Sequence, residues 1–407
     1  MAAEARRARQ GMPCPYGMDV RESMNTVGEL KSRFRAKYGE EPVVYRAPGR
    51  VNLIGEHTDY NDGFVFPAAI DLFTYVAIAP RTDRVIRVHS ENFGEDLDFA
   101  LDGTPENVPA GWARYVLGVA LILERQGHAL KGANLLIRGE VPIGAGVSSS
   151  AAVEVAAGYS LLANSGFRLE GRTLARICQR AENEVVGTRS GIMDQLASAC
   201  GVAGRALLVD CRSLEFRALP LPAGIRLVIC NTMVKRELAA SAYNTRRAEC
   251  EEGVRVLVQR YPEIRALRDA TMEQLESCRV EMPGNVFRRC RHVISENARV
   301  LEAAQALEQG RLSDLRRAMA ESHRSLRDDY EVSCAELDLL VERANREPGV
   351  HGARMTGAGF GGCTINLVEA EAVQAFRDHV ASGYEQRMRV KPDIYVCSAA
   401  DGVKQID

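Results

Sequence analysis

Little net charge and little lysine distinguish this sequence. Its 52 Lys and Arg residues are balanced by 54 Asp and Glu residues, so the formal net charge at pH 7 is only -2. A chain without an overall basic field does not attract nucleic acid, and we expect no nucleic-acid partner. Arginine carries nearly all of the positive charge, since the only lysines are Lys31, Lys37, Lys131, Lys235, Lys391 and Lys404.

Paired cysteine motifs and long apolar runs are also missing. The 11 cysteines include no Cys-x-x-Cys pair, which argues against a disulfide framework and against a zinc site. This usage is typical of the reducing cytosol, so we predict a cytoplasmic protein. No apolar run approaches the length of a membrane span, and we expect no membrane partner. Residues 1–24 lack a hydrophobic signal core and are predicted to be a disordered extension.

The length of 407 residues predicts two domains, each with its own core. We place the boundary near residue 210, which gives an N-terminal domain over 25–210 and a C-terminal domain over 211–407. Apolar periodicity then predicts the main elements. The predicted strands are 43–47, 73–78 and 85–89, and the predicted helices are 27–38, 112–125, 239–261, 286–309, 312–322 and 335–346.

A glycine turn directly before a helix start is the first functional signal, in the segment VPIGAGVSSSAAVEVAA at 141–157. Gly144 and Gly146 permit backbone conformations that a side chain disfavours. Ser148, Ser149 and Ser150 supply hydroxyls where a helix needs N-capping. Free N–H groups and the positive end of a helix dipole suit a polyphosphate. An ordinary strand-to-helix connection has the same pattern, and no Walker A lysine follows.

Polar residues crowd the segment GRVNLIGEHTDYNDG at 49–63, between two apolar stretches. A surface hairpin loop would account for that polarity. The chemistry favours a second interpretation, because carboxylates, an imidazole and an amide can bond adjacent sugar hydroxyls in fixed directions. Glu56, His57 and Asp59 are the side chains of this kind that we single out.

Three motifs in order identify the chain as resembling one family. The loop G-x-G-x-S-S-S-A resembles the phosphate loop of the GHMP small-molecule kinases, and the segment at 49–63 resembles the signature of their galactokinase family. MTGAGFGGCTINL at 355–367 resembles the third, glycine-rich motif. The resemblance implies an α+β, two-domain GHMP kinase fold. Its N-terminal domain would be like the second domain of ribosomal protein S5, and its C-terminal domain would be ferredoxin-like.

The resemblance also implies which residues bind the two substrates. The sugar would be contacted by Glu56, His57, Asp59, Gly191 and Tyr243. ATP would be bound by Gly144, Gly146, Ser148, Ser149, Ser150, Trp112 and Tyr115. For Trp112 and Tyr115, spaced three residues apart on a predicted helix, packing into the core is the other interpretation.

The catalytic residues implied by the resemblance are Asp194 and Arg50. Asp194 belongs to GIMDQLASA at 191–199, which matches the family element whose aspartate accepts a proton from the sugar hydroxyl. A carboxylate in the first turn of a helix is also favoured by the dipole without any catalytic duty. The family usually has cysteine where this chain has Ser190, and we expect little consequence of that difference.

A metal site is implied at Glu182 and Ser150. Glu182 lies at the edge of an apolar helix face, where a carboxylate is costly unless something positive meets it. A salt bridge to an arginine would satisfy it. The surrounding AENEVVG resembles the family helix whose glutamate binds Mg²⁺ with a serine of the phosphate loop, and the motif places that serine at Ser150.

The function implied is transfer of the ATP γ-phosphoryl group to the C1 hydroxyl of galactose. Galactose and ATP are the expected partners, Mg²⁺ the expected cofactor and a monomer the expected state. Two alternatives stay open: a kinase for N-acetylgalactosamine or another related sugar, and a galactose sensor of the same fold that has lost catalysis.

Overall fold

The computed structural model of the chain describes residues 20–104, 108–234 and 239–406, with backbone alone at 20–24 and 239–240. Its α-helices are α1 (Val20–Tyr38), α2 (Ala113–Arg125), α3 (Ser149–Asn164), α4 (Gly171–Ala181), α5 (Met193–Cys200), α6 (Ala239–Arg260), α7 (Met272–Ser277), α8 (Gly284–Glu308), α9 (Leu312–Asp328), α10 (Ala335–Arg346) and α11 (Val373–Met388). Its strands are β1 (Val43–Asn52), β2 (Phe64–Val65), β3 (Pro67–Pro80), β4 (Val85–Ser90), β5 (Glu95–Ala100), β6 (Ala133–Gly139), β7 (Arg205–Asp210), β8 (Phe216–Pro220), β9 (Ile225–Asn231), β10 (Val350–Thr356), β11 (Cys363–Glu369), β12 (Asp393–Cys397) and β13 (Lys404–Gln405).

The predicted helices lie close to α1, α2, α6, α8, α9 and α10, with two differences at their ends. Helix α9 continues to Asp328 instead of ending at 322. Helix α1 begins at Val20, so the predicted disordered extension is wrong for residues 20–24, and the rest of it lies outside the described residues. Leu30 and Phe34 explain why α1 forms, because both are fully buried against the first sheet.

The first sheet has six strands in the order β13-β1-β3-β6-β4-β5, antiparallel except for the pair β4 and β6. Strand β3 alternates its side chains between two cores, as a pleated strand must when both faces are covered. Val76 and Ile78 face the core formed with α2, α3 and α4. Tyr75 and Ala77 face α1. This sheet therefore lies between helices, and α3 rises directly from the glycine loop over β1 and β3.

The second sheet has four antiparallel strands in the order β10-β11-β9-β12. Numbered along the chain from β9, this is the order 2-3-1-4 of a ferredoxin-like sheet, which confirms the predicted fold. Val228 and Cys230 face α10 and α11, while Leu227 and Ile229 face α8, α9 and the segment at 51–54. One apolar core therefore joins the second sheet to the N-terminal half.

The division of the chain near residue 210 stays a proposal. Beyond it, β8 pairs with β7, and β13 returns to pair with β1. These strands extend sheets that begin before residue 210. Over 20–104, 108–234 and 239–406, no helix combines the length and the apolar character needed to cross a membrane.

A buried ionic cluster holds the segment at 49–63 against the second sheet. Arg354 on β10 is fully buried and pairs with Glu56, and its Nη2 lies 3.9 Å from Oε1 of Glu296. Glu296 accepts a hydrogen bond from the Gly55 amide at 3.0 Å. Burial acts to raise the pKa of Glu296, but Arg299 and other nearby cations outweigh it and lower the pKa to about 2.

Removing Arg354 should destabilise the whole protein. Arg354→Met keeps the apolar stem but leaves Glu56 and Glu296 without their shared cation, so the free energy of unfolding should fall by about 3 kcal/mol or more. Urea denaturation followed by circular dichroism measures it. Arg87→Met is the control, because Arg87 pairs with Asp98 on the exposed face and its loss should leave the urea midpoint unchanged. Equal urea midpoints for both variants would show that the cluster does not contribute to the stability of the protein.

Candidate active site

Two adjoining cavities lie between the phosphate loop and the third glycine motif. The larger has a volume of about 520 Å³ and the smaller about 260 Å³. Arg50, Tyr115, Asp194 and Ala358 line both. The predicted sugar residues and the predicted nucleotide residues therefore meet at one place, although they come from distant parts of the sequence.

The phosphate loop lines the larger cavity and has the predicted conformation at its glycines. Gly144 and Gly146 have φ of 74° and 82°, and α3 starts immediately afterwards at Ser149. The predicted N-capping by a serine hydroxyl is wrong for Ser148, the N-cap residue, because its side chain makes no capping bond. Its hydroxyl instead donates to Oδ2 of Asp194 at 2.6 Å. In N-capping the serine oxygen would accept from a backbone N–H, whereas here the hydroxyl is the donor in a charge-assisted hydrogen bond to a carboxylate.

Trp112 and Tyr115 line the larger cavity, so core packing alone does not account for them. The Trp112 ring stacks on Phe93, with centroids 5.8 Å apart and planes 5° apart. Phe93 and Ile143 are 47% and 61% exposed and line the same cavity, yet sequence reasoning missed both. Single apolar residues in loops carry no periodicity, so the sequence held no signal for them.

Arg50 and Asp194 form a two-pronged ion pair where the cavities meet. Nε of Arg50 donates to Oδ1 of Asp194 at 2.8 Å, and Nη2 donates to Oδ2 at 2.7 Å. Nη1 of Arg50 donates to the carbonyl of Gly146 at 2.8 Å. Asp194 lies in the first turn of α5, but its carboxylate is bound by Arg50 and Ser148 rather than serving as the N-cap. The pair thus joins β1, the phosphate loop and α5.

The five predicted sugar residues all line the smaller cavity. Gly191 packs so closely on Asp59 that a β-carbon there would lie 1.9 Å from Oδ2, which is why only glycine fits. Burial, and next the nearby Asp194 carboxylate, raises the pKa of Asp59 to about 6. Burial lowers the pKa of His57, so its ring is neutral at pH 7. The His57 and Tyr243 rings lie 5.6 Å apart.

Glu56 borders the smaller cavity, but the protein itself engages both of its carboxylate oxygens. Oε2 pairs with Arg354, and Oε1 accepts the Gly357 amide at 3.1 Å and the Thr356 hydroxyl at 3.3 Å. Glu56 therefore connects the segment at 49–63 to the third glycine motif. Sequence reasoning missed Arg354 and Thr356, because their partners are about 300 residues away along the chain.

Glu182 begins a π-helical turn, Glu182–Val186, which continues α4. The predicted alternative, a salt bridge to an arginine, is not found among the described residues. Glu182 instead accepts hydrogen bonds from the Ser190 hydroxyl at 2.8 Å and from the side-chain amide of Gln195 at 2.7 Å. The Ser190 hydroxyl thus contacts the predicted metal ligand, and the expectation that serine at 190 has little consequence stays a prediction. Burial raises the pKa of Glu182 to about 7, because the Ser190 and Gln195 hydrogen bonds and the positive charge of Arg50 offset the burial only in part.

The oxygen donors here fit a hard cation such as Mg²⁺. Glu182 lines the smaller cavity and Ser150 the larger one, so the two predicted ligands lie in adjoining cavities. Within the described residues, no group of three or more His, Cys, Asp or Glu side chains forms a metal site. Mg²⁺ commonly takes one or two protein ligands and completes its shell with phosphate oxygens and water.

Comparison with family models gives three matches along the chain. The galactokinase galactose-binding signature matches residues 32–80. The GHMP kinase N-terminal domain matches residues 114–202, and the GHMP kinase C-terminal domain matches residues 303–386.

Similar proteins agree with these matches. The galactokinases of Roseiflexus sp. (strain RS-1) and Chloroflexus aggregans are 50% and 48% identical over 94% and 93% of this chain, and 98% of each relative is covered. The crystal structure of Lactococcus lactis galactokinase complexed with galactose has a TM-score of 0.89 at 36% identity, covering 94% of this chain and all of that one. Methanococcus jannaschii mevalonate kinase, 18% identical with a TM-score of 0.63 over 89% of this chain and 99% of that one, shares the fold. The chain therefore belongs to the galactokinase family of the GHMP kinases and is a sugar kinase.

Proposed function

We propose that this protein transfers the γ-phosphoryl group of ATP to the C1 hydroxyl of galactose, giving galactose 1-phosphate and ADP. The observation that carries the proposal is the Arg50–Asp194 pair at the junction of the two cavities. A phosphoryl group and a hydroxyl held on either side of that junction would react in place, and positioning supplies much of the rate in such transfers. Galactose as the acceptor rests on the galactokinase relatives.

ATP occupies the larger cavity in this proposal. The loop amides between Gly144 and Ser150 and the positive end of α3 would hold the phosphates. The stacked Trp112 and Phe93 rings, with Tyr115 beside them, offer a flat apolar surface to the adenine.

Galactose occupies the smaller cavity. Asp59, anionic above a pH of about 6, accepts hydrogen bonds from sugar hydroxyls, and neutral His57 bonds a hydroxyl without repelling Arg50. Gly191 and Tyr243 shape the wall. Glu56 contributes to the site by holding Gly357, and also borders the sugar.

The transfer step forms a bond from the sugar C1 oxygen to the γ-phosphorus and breaks the bond from that phosphorus to the bridging oxygen of ADP. Asp194 orients the C1 hydroxyl and accepts its proton late in transfer. Arg50 keeps Asp194 in place and stabilises charge that develops on the phosphoryl oxygens. Mg²⁺, held by Glu182 and Ser150, would neutralise phosphate charge when bound.

We place the protein in the cytoplasm as a monomer. The ten cysteines between Cys178 and Cys397 are free thiols, as is typical of a reducing compartment. An assay of ADP release on a panel of sugars tests the function. Galactose should be the preferred acceptor; preference for N-acetylgalactosamine would reassign the substrate, and galactose binding without ADP release would indicate a sensor.

Asp194→Asn should give a folded protein that binds both substrates but turns over ~100-fold more slowly or worse, because an amide cannot accept the proton. Steady-state kinetics and calorimetric binding of each substrate measure the two effects. Asp210→Asn is a matched control, since Asp210 forms a similar two-pronged pair with Arg268 outside both cavities. Near-native turnover of Asp194→Asn would refute the role of Asp194.

Glu182→Gln should raise the Mg²⁺ concentration needed for half-maximal turnover by ~10-fold or more, because it removes an anionic ligand. Galactose binding in the absence of nucleotide should stay close to normal. Glu184→Gln, in the same turn but on the exposed pair with Arg180, should change neither quantity. An unaltered Mg²⁺ requirement in Glu182→Gln means that the metal is held elsewhere.

Galactose affinity should fall as the pH drops through about 6. The raised pKa means that Asp59 becomes protonated there, and each further pH unit would cut the anionic fraction roughly tenfold. Calorimetric titration with galactose alone, from pH 7.5 to pH 5, follows this loss. Asp59→Asn should bind weakly at every pH; an equally steep pH dependence in that variant would point to a different group.

A further inference from the structure

Ser148 has a backbone conformation that a serine rarely adopts. Its φ of 63° and ψ of 46° are left-handed, a region that disfavours residues with a β-carbon. Gly144 and Gly146, in the same loop, also have positive φ, and both are glycines. A glycine at 148 would relax the backbone, so the serine side chain contributes something that offsets the strain.

The Ser148 hydroxyl is directed at Asp194 and nowhere else in the described contacts. Its Oγ donates to Oδ2 at 2.6 Å, a short bond of the kind expected between a hydroxyl and a carboxylate. Arg50 donates to the same Oδ2 and also to Oδ1. The Asp194 carboxylate is therefore held by an arginine on β1 and by the phosphate loop.

We propose that Ser148 is a positioning residue, which orients the Asp194 carboxylate relative to the phosphate loop and does not bind phosphate through its hydroxyl. The inference rests on the proposed role of Asp194. A serine hydroxyl has one proton to donate, and here that proton goes to Asp194, so only the Ser148 amide is left for ATP.

The physical reason for such a contact is alignment. Arg50 binds the Asp194 carboxylate with two hydrogen bonds, and Ser148 adds a third from a different part of the chain. Ser148 approaches from the loop that would hold the γ-phosphoryl group. The group that accepts the proton and the loop that positions the phosphorus then move together, and misplacement of a reacting group by 1 Å slows a reaction greatly.

Paired substitutions at Ser148 separate positioning from structure. Both Ser148→Ala and Ser148→Gly remove the hydroxyl, and both should lower kcat by about 10-fold while the KM values for ATP and galactose change less than about 3-fold. Only the glycine variant releases the strain, so it should unfold at a higher temperature than the alanine variant. A purely structural role predicts the reverse pattern, with the more stable glycine variant retaining wild-type kcat, and that result would overturn the proposal.

Arg389→Gly is the control for strain release. Arg389 has φ of 60° at the end of α11, far along the chain from the cavities and lining neither. Its replacement relaxes a similar backbone conformation and should leave kcat unchanged. A tenfold or greater rise in the KM for ATP in Ser148→Ala would instead show that the hydroxyl binds phosphate, which would overturn the proposal.

A double-mutant cycle with Asp194→Asn decides whether Ser148 acts through Asp194. If it does, adding Ser148→Ala to Asp194→Asn should slow turnover by less than 2-fold, because the group being positioned has already lost its function. If Ser148→Ala still slowed turnover about tenfold in the Asp194→Asn background, the proposed role of Ser148 would be overturned, but that of Asp194 would not. Near-native turnover of Asp194→Asn by itself would overturn the role of Asp194, and that of Ser148 with it.

Discussion

The ion pair between Arg50 and Asp194 is the interaction on which the site depends. Arg50 is 4% exposed and donates to Asp194 and to the Gly146 carbonyl, so one guanidinium joins β1, α5 and the phosphate loop. A guanidinium suits this task because its planar fork binds a carboxylate with two parallel hydrogen bonds. Both cavities are built around this contact, and any movement of it would displace sugar-side and nucleotide-side residues together.

A buried ionic cluster also holds the site in place. The cluster of Arg354, Glu56 and Glu296 connects the segment at 49–63 to β10 and α8 in the C-terminal half. Buried charges of this kind are costly unless their partners are present, so the cluster favours one arrangement of the two halves. Glu56 also accepts a hydrogen bond from the Gly357 amide, and a β-carbon at position 357 would lie only 2.9 Å from the Gly146 carbonyl oxygen. The third glycine motif and the phosphate loop are thereby packed against each other.

The structure brings the predicted site residues together in two adjoining cavities, and their roles in binding and catalysis stay predictions. All five residues predicted to contact the sugar line the smaller cavity, and all seven residues predicted to bind the nucleotide line the larger one. Their partners were not foreseen: Ser148 bonds Asp194 instead of capping α3, and Ser190 bonds Glu182. Motifs indicate which side chains belong to a site. Their hydrogen-bond partners depend on distances between separate motifs, and the fold sets those distances.

Periodicity and motif order in the sequence by themselves determined the fold family and, apart from the start of α1, the helices α1, α2, α6, α8 and α10 to within a few residues. They also selected the residues that we propose for the site. These features are local, and spacing along a helix or strand expresses them directly. Only the tertiary structure decided that β13 closes the first sheet, that Phe93 and Ile143 border the larger cavity, and that Arg354 neutralises Glu56. Each of these features brings together residues that are distant in the sequence, and no local sequence pattern indicates such a contact before the chain folds.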